Sequence, residues 1–149
     1  MSVTTRRFAV ATLLTGVIAG LVGLACIHLL HWIQALAWDM HSGTLLEAVS
    51  AASPARRVLN LVLGGILGAA SWFFLFRRSR AITSVSAAVG GTPMPPLRAT
   101  WHALTQVLIV GLGASVGREV APREMAAAFS AAAADRLGLT PEDRRIIVA

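Results

Sequence analysis

The sequence has few charged residues, one cysteine and no lysine. Charged residues make up 13% of its 149 residues, about half the share usual in soluble domains. A single thiol, Cys26, excludes a disulfide within one chain. One cysteine with four scattered histidines also makes a poor metal site. We therefore expect no bound metal.

Apolar residues dominate what is present. The hydrophobic fraction is 56% and the mean hydropathy is +0.70, which indicates an integral membrane protein. Thirteen arginines against seven acids could indicate nucleic-acid binding. The arginines, however, stand in groups at the ends of apolar runs (Arg6-Arg7, Arg56-Arg57, and Arg77-Arg78 with Arg80). This distribution is typical of membrane topology signals, so we expect no nucleic-acid partner.

Two uncharged runs predict membrane-spanning helices. The first, from Phe8 to Trp38, exceeds the roughly 20 residues that cross a bilayer. It is also too long for the apolar part of a signal peptide, about 7–15 residues. The second runs from Val58 to Phe76. The polar loop between them, Asp39–Arg57, is formally neutral, so the positive-inside rule predicts a cytoplasmic N-terminus.

Polar and small residues within these spans predict contacts. His28, His31 and Gln34 fall on roughly one helical face. They either line a protein interface or, as we favour, lie near the membrane surface with Trp32 and Trp38.

Two glycine pairs have the spacing that lets helices pack closely. They are Gly16 with Gly20 in the first span and Gly64 with Gly68 in the second. We expect both pairs to contact neighbouring helices.

Beyond residue 80 the pattern changes to shorter segments. Residues 90–96 carry two glycines and three prolines and predict a loop. The polar residues of the next apolar segment favour a helix buried among others. The predicted segments are a short one at Ala81–Val89, helices at Leu97–Val116 and Pro122–Leu137, and a further helix opened by Thr140-Pro141.

The stretch GASVGREVAPREM, residues 113–125, places two charges in apolar sequence. Gly117 permits close backbone approach, and Pro122 suits the first position of a helix. A helix start is an anion site, because its N–H groups have no partners. The Glu119 carboxylate can occupy that site and leave it when protonated. Alternatively, Glu119 caps its own helix and Arg118 pairs with Glu124 or a lipid phosphate.

A nucleotide-binding interpretation of VLIVGLGASVG, residues 107–117, is also open. Its glycine spacing is similar to a dinucleotide fingerprint, which requires a second strand and an acid about 20 residues on. No second strand follows, so we do not favour it.

Residues 113–149, GASVGREVAPREMAAAFSAAAADRLGLTPEDRRIIVA, resemble the GRExP region of CLC chloride channels and chloride/proton antiporters. The resemblance implies an all-α polytopic membrane fold with tilted and broken helices. It implies a homodimer in a bacterial plasma membrane that moves chloride or another small anion as a channel, or in exchange for protons. It implies no enzyme activity and no cofactor. Glu119 would be the gate, and the backbone of Gly117, Arg118, Val120 and Ala121 would face the anion.

The sequence departs from the family pattern in two places. The signature commonly reads GREGP, and here one extra residue separates Glu119 from the proline. The serine of an earlier GSGIP motif falls at Arg80, so Ser79, Thr83 or Ser84 would have to supply the inner hydroxyl.

Later family elements would lie beyond Ala149. We therefore expect residues 1–149 to be the N-terminal part of one CLC-type transmembrane domain. The alternative function is a non-conducting membrane scaffold or degenerate homologue.

Overall fold

A computed structural model describes residues 3–40, 42–77 and 82–149 of the chain. This part of the chain is helical, as expected, and contains no strand. Its elements are α1 (Val3–Trp38), α2 (Leu45–Ala51), α3 (Pro54–Arg77), α4 (Val85–Val89), α5 (Pro96–Gly111), α6 (Val120–Arg136) and α7 (Pro141–Val148).

Helices α1 and α3 are long and apolar enough to cross a membrane, in agreement with the two predicted spans. The 36 residues of α1 extend roughly 54 Å at 1.5 Å per residue, more than the hydrocarbon thickness of about 30 Å. Helix α1 must therefore tilt or project beyond the bilayer. It ends where Asp39 takes a φ of 58°, a left-handed conformation that stops a helix.

The connection between α1 and α3 is more ordered than the predicted loop. It contains α2, which Thr44 and Glu47 begin with a capping box: the Thr44 side chain accepts from the Glu47 N–H at 3.3 Å, and the Glu47 carboxylate accepts from the Thr44 N–H at 2.8 Å. Helix α3 begins at Pro54, four residues before the expected Val58. Proline at the first helical position costs no hydrogen bond, which explains the earlier start.

The first turns of α3 hold the end of α1. Arg56 Nε and Asn60 Nδ2 both donate to the carbonyl of Ala37 at 2.8 Å. Arg57 donates to the carbonyl of Ser50 at 2.6 Å and to that of Ala52 at 3.0 Å. Both arginines therefore bind carbonyls that a helix end leaves without internal partners, besides acting as topology signals.

Helix α6 is the centre of the packing and contacts α1, α4, α5 and α7. Its buried side chains are small, apart from one methionine, which lets the neighbouring backbones approach closely. They are Ala121, Met125, Ala127, Ala128, Ser130, Ala131 and Ala134. Apolar residues of α1 and α5 complete the core around its first half: Val22, Cys26, Leu30, Ile33, Ala103, Val107 and Val110.

Helix α5 is buried on one side, as its polar residues predicted, while Leu97, Trp101 and Leu104 stay exposed on the other. Thr105 Oγ1 and Ser71 Oγ of α3 are 2.6 Å apart. Trp101 Nε1 donates to Ser71 Oγ at 2.8 Å, and Thr105 Oγ1 donates to the Trp101 carbonyl at 2.9 Å. The helix ends at Gly111 rather than at the expected Val116, because the chain turns through Gly113 with a φ of 104°.

The glycine pair of α3 packs as predicted. Gly64 and Gly68 are buried, and a Cβ at Gly68 would lie 2.9 Å from Ile109 Cγ2 on α5. The α1 pair, Gly16 and Gly20, has no atom of the described chain within 4 Å of such a Cβ. Its packing role stays a prediction.

Replacing Gly68 with valine should destabilise the protein, because the new side chain overlaps Ile109 and forces α3 away from α5. Overpacking of this kind costs about 1–3 kcal/mol. The check is thermal unfolding of the full-length protein in detergent. Gly65→Val is the matched control, since a Cβ there meets nothing within 4 Å. Equal melting temperatures for the two variants would contradict the packing described.

Candidate functional site

The loop between α5 and α6 ends at Glu119, which is the N-cap residue of α6. The expectation that Pro122 takes the first helical position is wrong, because α6 begins at Val120 and Pro122 is its third residue. Proline is tolerated there since first-turn N–H groups have no intrahelical acceptor. The extra residue of the GREVAP sequence therefore lies within the first helical turn, and Glu119 directly precedes the helix.

The Glu119 side chain does not cap its helix. It makes no cap hydrogen bond, so the capping interpretation is wrong. Its carboxylate lies over Gly117 instead: a Cβ built on Gly117 would be 2.5 Å from Glu119 Oε1. A side chain at Gly117 would therefore require this carboxylate to move.

The expected pairing of Arg118 with Glu124 is also wrong. The Glu124 carboxylate is 2.8 Å from His102 Nδ1 on α5 and accepts from Gln106 Nε2 at 3.4 Å. Within the described residues Arg118 forms no hydrogen bond or ion pair. The exposed Arg118 guanidinium thus bonds to no described acceptor, although Glu119 follows it directly in the chain.

The start of α6 presents N–H groups that have no partners. The backbone N–H groups of Gly117, Arg118 and Glu119 donate to no acceptor in the described part of the chain. Together with the positive end of the α6 dipole, they form a cluster of hydrogen-bond donors. Such a cluster stabilises a carboxylate or a small anion.

The end of α5, in contrast, presents no unsatisfied carbonyls nearby. Trp38 Nε1 of α1 donates to the Gly111 carbonyl at 2.9 Å. Loop N–H groups satisfy the three preceding carbonyls: Leu112 bonds to Leu108, Gly113 to Val110 and Ala114 to Ile109. The carbonyl oxygens at the end of α5, which would repel an anion, therefore already accept hydrogen bonds.

Two cavities meet at Glu119. The larger, which we call the loop cavity, has a volume of about 710 Å³ and lies among the end of α1, the start of α2 and residues 113–119. The other, which we call the hydroxyl cavity, has a volume of about 430 Å³ and lies among α1, α6, α7 and Val85 of α4. Glu119 lines both cavities. This residue therefore separates the two cavities.

The loop cavity also contains two residues whose role the sequence did not predict. Gln34 is 2% exposed and its Nε2 has no partner among the described residues. His31 lines the same cavity, whereas His28 is exposed, with its Nδ1 2.8 Å from the Leu24 carbonyl. Trp38 is buried against Gly111 rather than facing the membrane surface. The protein-interface alternative therefore holds for Gln34, while the exposed His28, His31 and Trp32 leave the membrane-surface interpretation a prediction.

The inner-site candidates are only partly described. Ser79 and Arg80 lie outside the described residues. Thr83 Oγ1 donates its hydrogen to the Pro93 carbonyl at 2.9 Å, and Ser84 accepts from the Ala87 N–H at 3.2 Å as the N-cap of α4. Neither lines the loop cavity or the hydroxyl cavity. Both side chains therefore serve local structure.

Comparison with known proteins agrees with these features. Residues 64–149, more than half of the chain and the whole of α5, α6 and α7, match the family model described as voltage gated chloride channel. The chain belongs to this family. No curated protein and no solved structure matches it. Membership confirms the resemblance of residues 113–149, and with the two apolar helices it indicates an integral membrane protein of an anion-transporting family.

Replacing Trp38 with phenylalanine should destabilise this chloride channel family member. The change leaves the Gly111 carbonyl buried without its donor, which costs about 1–3 kcal/mol. The measurement is thermal unfolding of the full-length protein. Trp32→Phe is the matched control, because Trp32 is 63% exposed on the same helix. If both variants melt like the wild type, Trp38 does not hold the end of α5.

Proposed function

We propose that the protein moves chloride or another small anion across a membrane, with Glu119 as a protonatable gate. One observation carries the proposal: Glu119 lines both cavities, and its backbone N–H and those of Gly117 and Arg118 have no acceptor in the described chain. Among the described residues, Glu119 alone lines both cavities.

The anion would be held at the start of α6 by the backbone of Gly117, Arg118, Glu119, Val120 and Ala121. Charge-assisted hydrogen bonds from N–H groups are stronger than neutral ones, and the α6 dipole adds about half a positive charge. Arg118 and the Gln34 amide supply further donors from the wall of the loop cavity. Such an arrangement binds an anion through donors that are already in position.

Protonation of Glu119 would act in two ways. Arg118 and Glu119 are the arginine and the acid among the described residues that line the loop cavity. Their two charges cancel while Glu119 is ionised. Neutral Glu119 no longer competes for the N–H groups, and it leaves the Arg118 charge uncompensated. Both effects favour entry of an anion, and both couple its passage to protons.

Orientation and assembly are part of this proposal. The arginines at the start of α1 and the end of α3 favour a cytoplasmic N-terminus. The outer surfaces of α1 and α3 are apolar and exposed, as in Leu13, Val58 and Phe73. Lipid and a second copy of the protein are the expected neighbours of these surfaces.

Replacing Glu119 with glutamine should make anion flux independent of pH, because the side chain stays neutral. The half-saturating chloride concentration at neutral pH should fall about tenfold, since a carboxylate no longer occupies the N–H groups. The measurement is chloride efflux from liposomes that contain the full-length protein, across pH 4.5–7.5. Glu142→Gln, an exposed change in the first turn of α7, is the control.

Two outcomes would contradict the proposal. Flux that keeps the wild-type pH dependence in Glu119→Gln would remove the gating role. An absence of chloride flux from the wild-type protein at every pH would favour the non-conducting scaffold instead.

A further inference from the structure

An acid and a base meet between α5 and α6 at a contact that the proposed gate does not use. His102 Nδ1 of α5 lies 2.8 Å from Glu124 Oε2 of α6, and the two side chains are only 18% and 13% exposed. Gln106 Nε2 donates to the same Oε2 at 3.4 Å and lies 2.8 Å from Nδ1. The Trp72 ring of α3 has its centroid 6.1 Å from that of His102. The contact therefore joins two helices in a largely enclosed place.

The surroundings favour an imidazolium and a carboxylate whose charges cancel. A charge-assisted N–H···O bond is about 2.7–2.9 Å long, and the contact of 2.8 Å falls in this range. A shielded carboxylate is costly unless a cation balances it. Within the described chain His102 is the one base bonded to Glu124. We call these two residues the charge pair.

We propose that the charge pair sets the pH at which Glu119 takes up its proton. Glu124 follows Glu119 by five residues, about 7.5 Å along the axis of α6. Two unit charges about 10 Å apart shift a titration by about one pH unit at an effective dielectric constant near 20. Neither His102 nor Glu124 lines the loop cavity or the hydroxyl cavity. Both are therefore positioning residues that act through Glu119, and this inference rests on the proposed function of that residue.

The two charges of the pair act on Glu119 in opposite directions. The Glu124 carboxylate alone disfavours the ionised form of Glu119, so the gate would take up its proton at a higher pH. The His102 imidazolium alone favours the ionised form, so the gate would take up its proton at a lower pH. While both charges are present they cancel, and the gate responds as if neither were there.

Other titratable or charged side chains stand near Glu119 or the charge pair. His31 of α1 and Arg118 line the loop cavity with Glu119, and Arg123 of α6 lines the hydroxyl cavity with it. Arg98 is one turn before His102 on α5 and donates to the Leu75 carbonyl at 3.3 Å. Among the described residues, α2, α4 and α7 contribute uncharged side chains to the two cavities, and α3 has no charge from Val58 to Phe76. These groups stay the same when the pair is changed, so they cannot reverse the sign of a shift.

The test measures chloride efflux from liposomes that contain the full-length protein, across pH 4.5–7.5. His102→Asn keeps an N–H group near the place of Nδ1 but leaves the Glu124 charge unbalanced, so the midpoint of the flux curve should rise by about one pH unit. Glu124→Gln keeps an oxygen acceptor but leaves the imidazolium, so the midpoint should fall by about as much. The double variant has neither charge and should return to the wild-type midpoint.

The controls change the same residue types elsewhere. His28→Asn alters an exposed histidine of α1, and Glu142→Gln alters an exposed acid of α7. Both should keep the wild-type midpoint. The double variant also remains measurable if a single variant does not fold, because it retains a neutral hydrogen bond and no lone charge.

The results separate this inference from the proposed function. Midpoints that move in the same direction in both single variants would overturn it, since loss of packing, unlike charge, has no sign. A wild-type midpoint in both, or a double variant that stays shifted, would also overturn it, even if Glu119→Gln behaves as expected. When added to Glu119→Gln, neither change should create a pH dependence, because the pair acts through Glu119. Wild-type pH dependence in Glu119→Gln itself would overturn both proposals.

Discussion

Unpaired backbone N–H groups at the start of α6 are the constraint on which the site depends. Within the hydrocarbon of a bilayer such donors cost several kcal/mol each unless something accepts their hydrogen bonds. The Glu119 carboxylate lies over Gly117 but accepts from none of these N–H groups in the structure, and under the proposed function a change of its side-chain conformation would let it accept from them. Under the proposed function a mobile anion is the other acceptor, and competition between the two for one set of donors would be the physical basis of a gate that protonation releases.

The rest of the fold keeps this helix start in place and free of competing acceptors. Small side chains on α6 let α1, α5 and α7 pack against it from several sides. Trp38 and the loop N–H groups satisfy the carbonyls at the end of α5, which lies close to the same cavity. Arg56 and Asn60 hold the end of α1, and so the position of Trp38. The carbonyls at the end of α5 are thus paired, whereas the N–H groups at the start of α6 are not.

Local signals in the sequence predicted most helices but not the side-chain environment of the site. The uncharged runs predicted α1 and α3, and Thr140 with Pro141 correctly predicted the start of α7. The early end of α5 was missed because a left-handed Gly113 has no distinctive signal between two other glycines, Gly111 and Gly117. We expected Gln34 at the membrane surface, because residue spacing identifies the helical face on which a side chain lies but not what that face contacts. The pairing of Glu124 with His102 joins two helices, and sequence spacing carries no information about such contacts.

The most direct test of the central claim is to locate a bound anion at the start of α6. A structure of full-length Glu119→Gln grown in bromide would show the ion by its anomalous scattering. The account predicts bromide within hydrogen-bond distance of the Gly117, Arg118 or Glu119-position N–H groups, where the wild-type carboxylate lies at neutral pH. The account would be contradicted if bromide bound elsewhere while these N–H groups donated to protein atoms or to no acceptor.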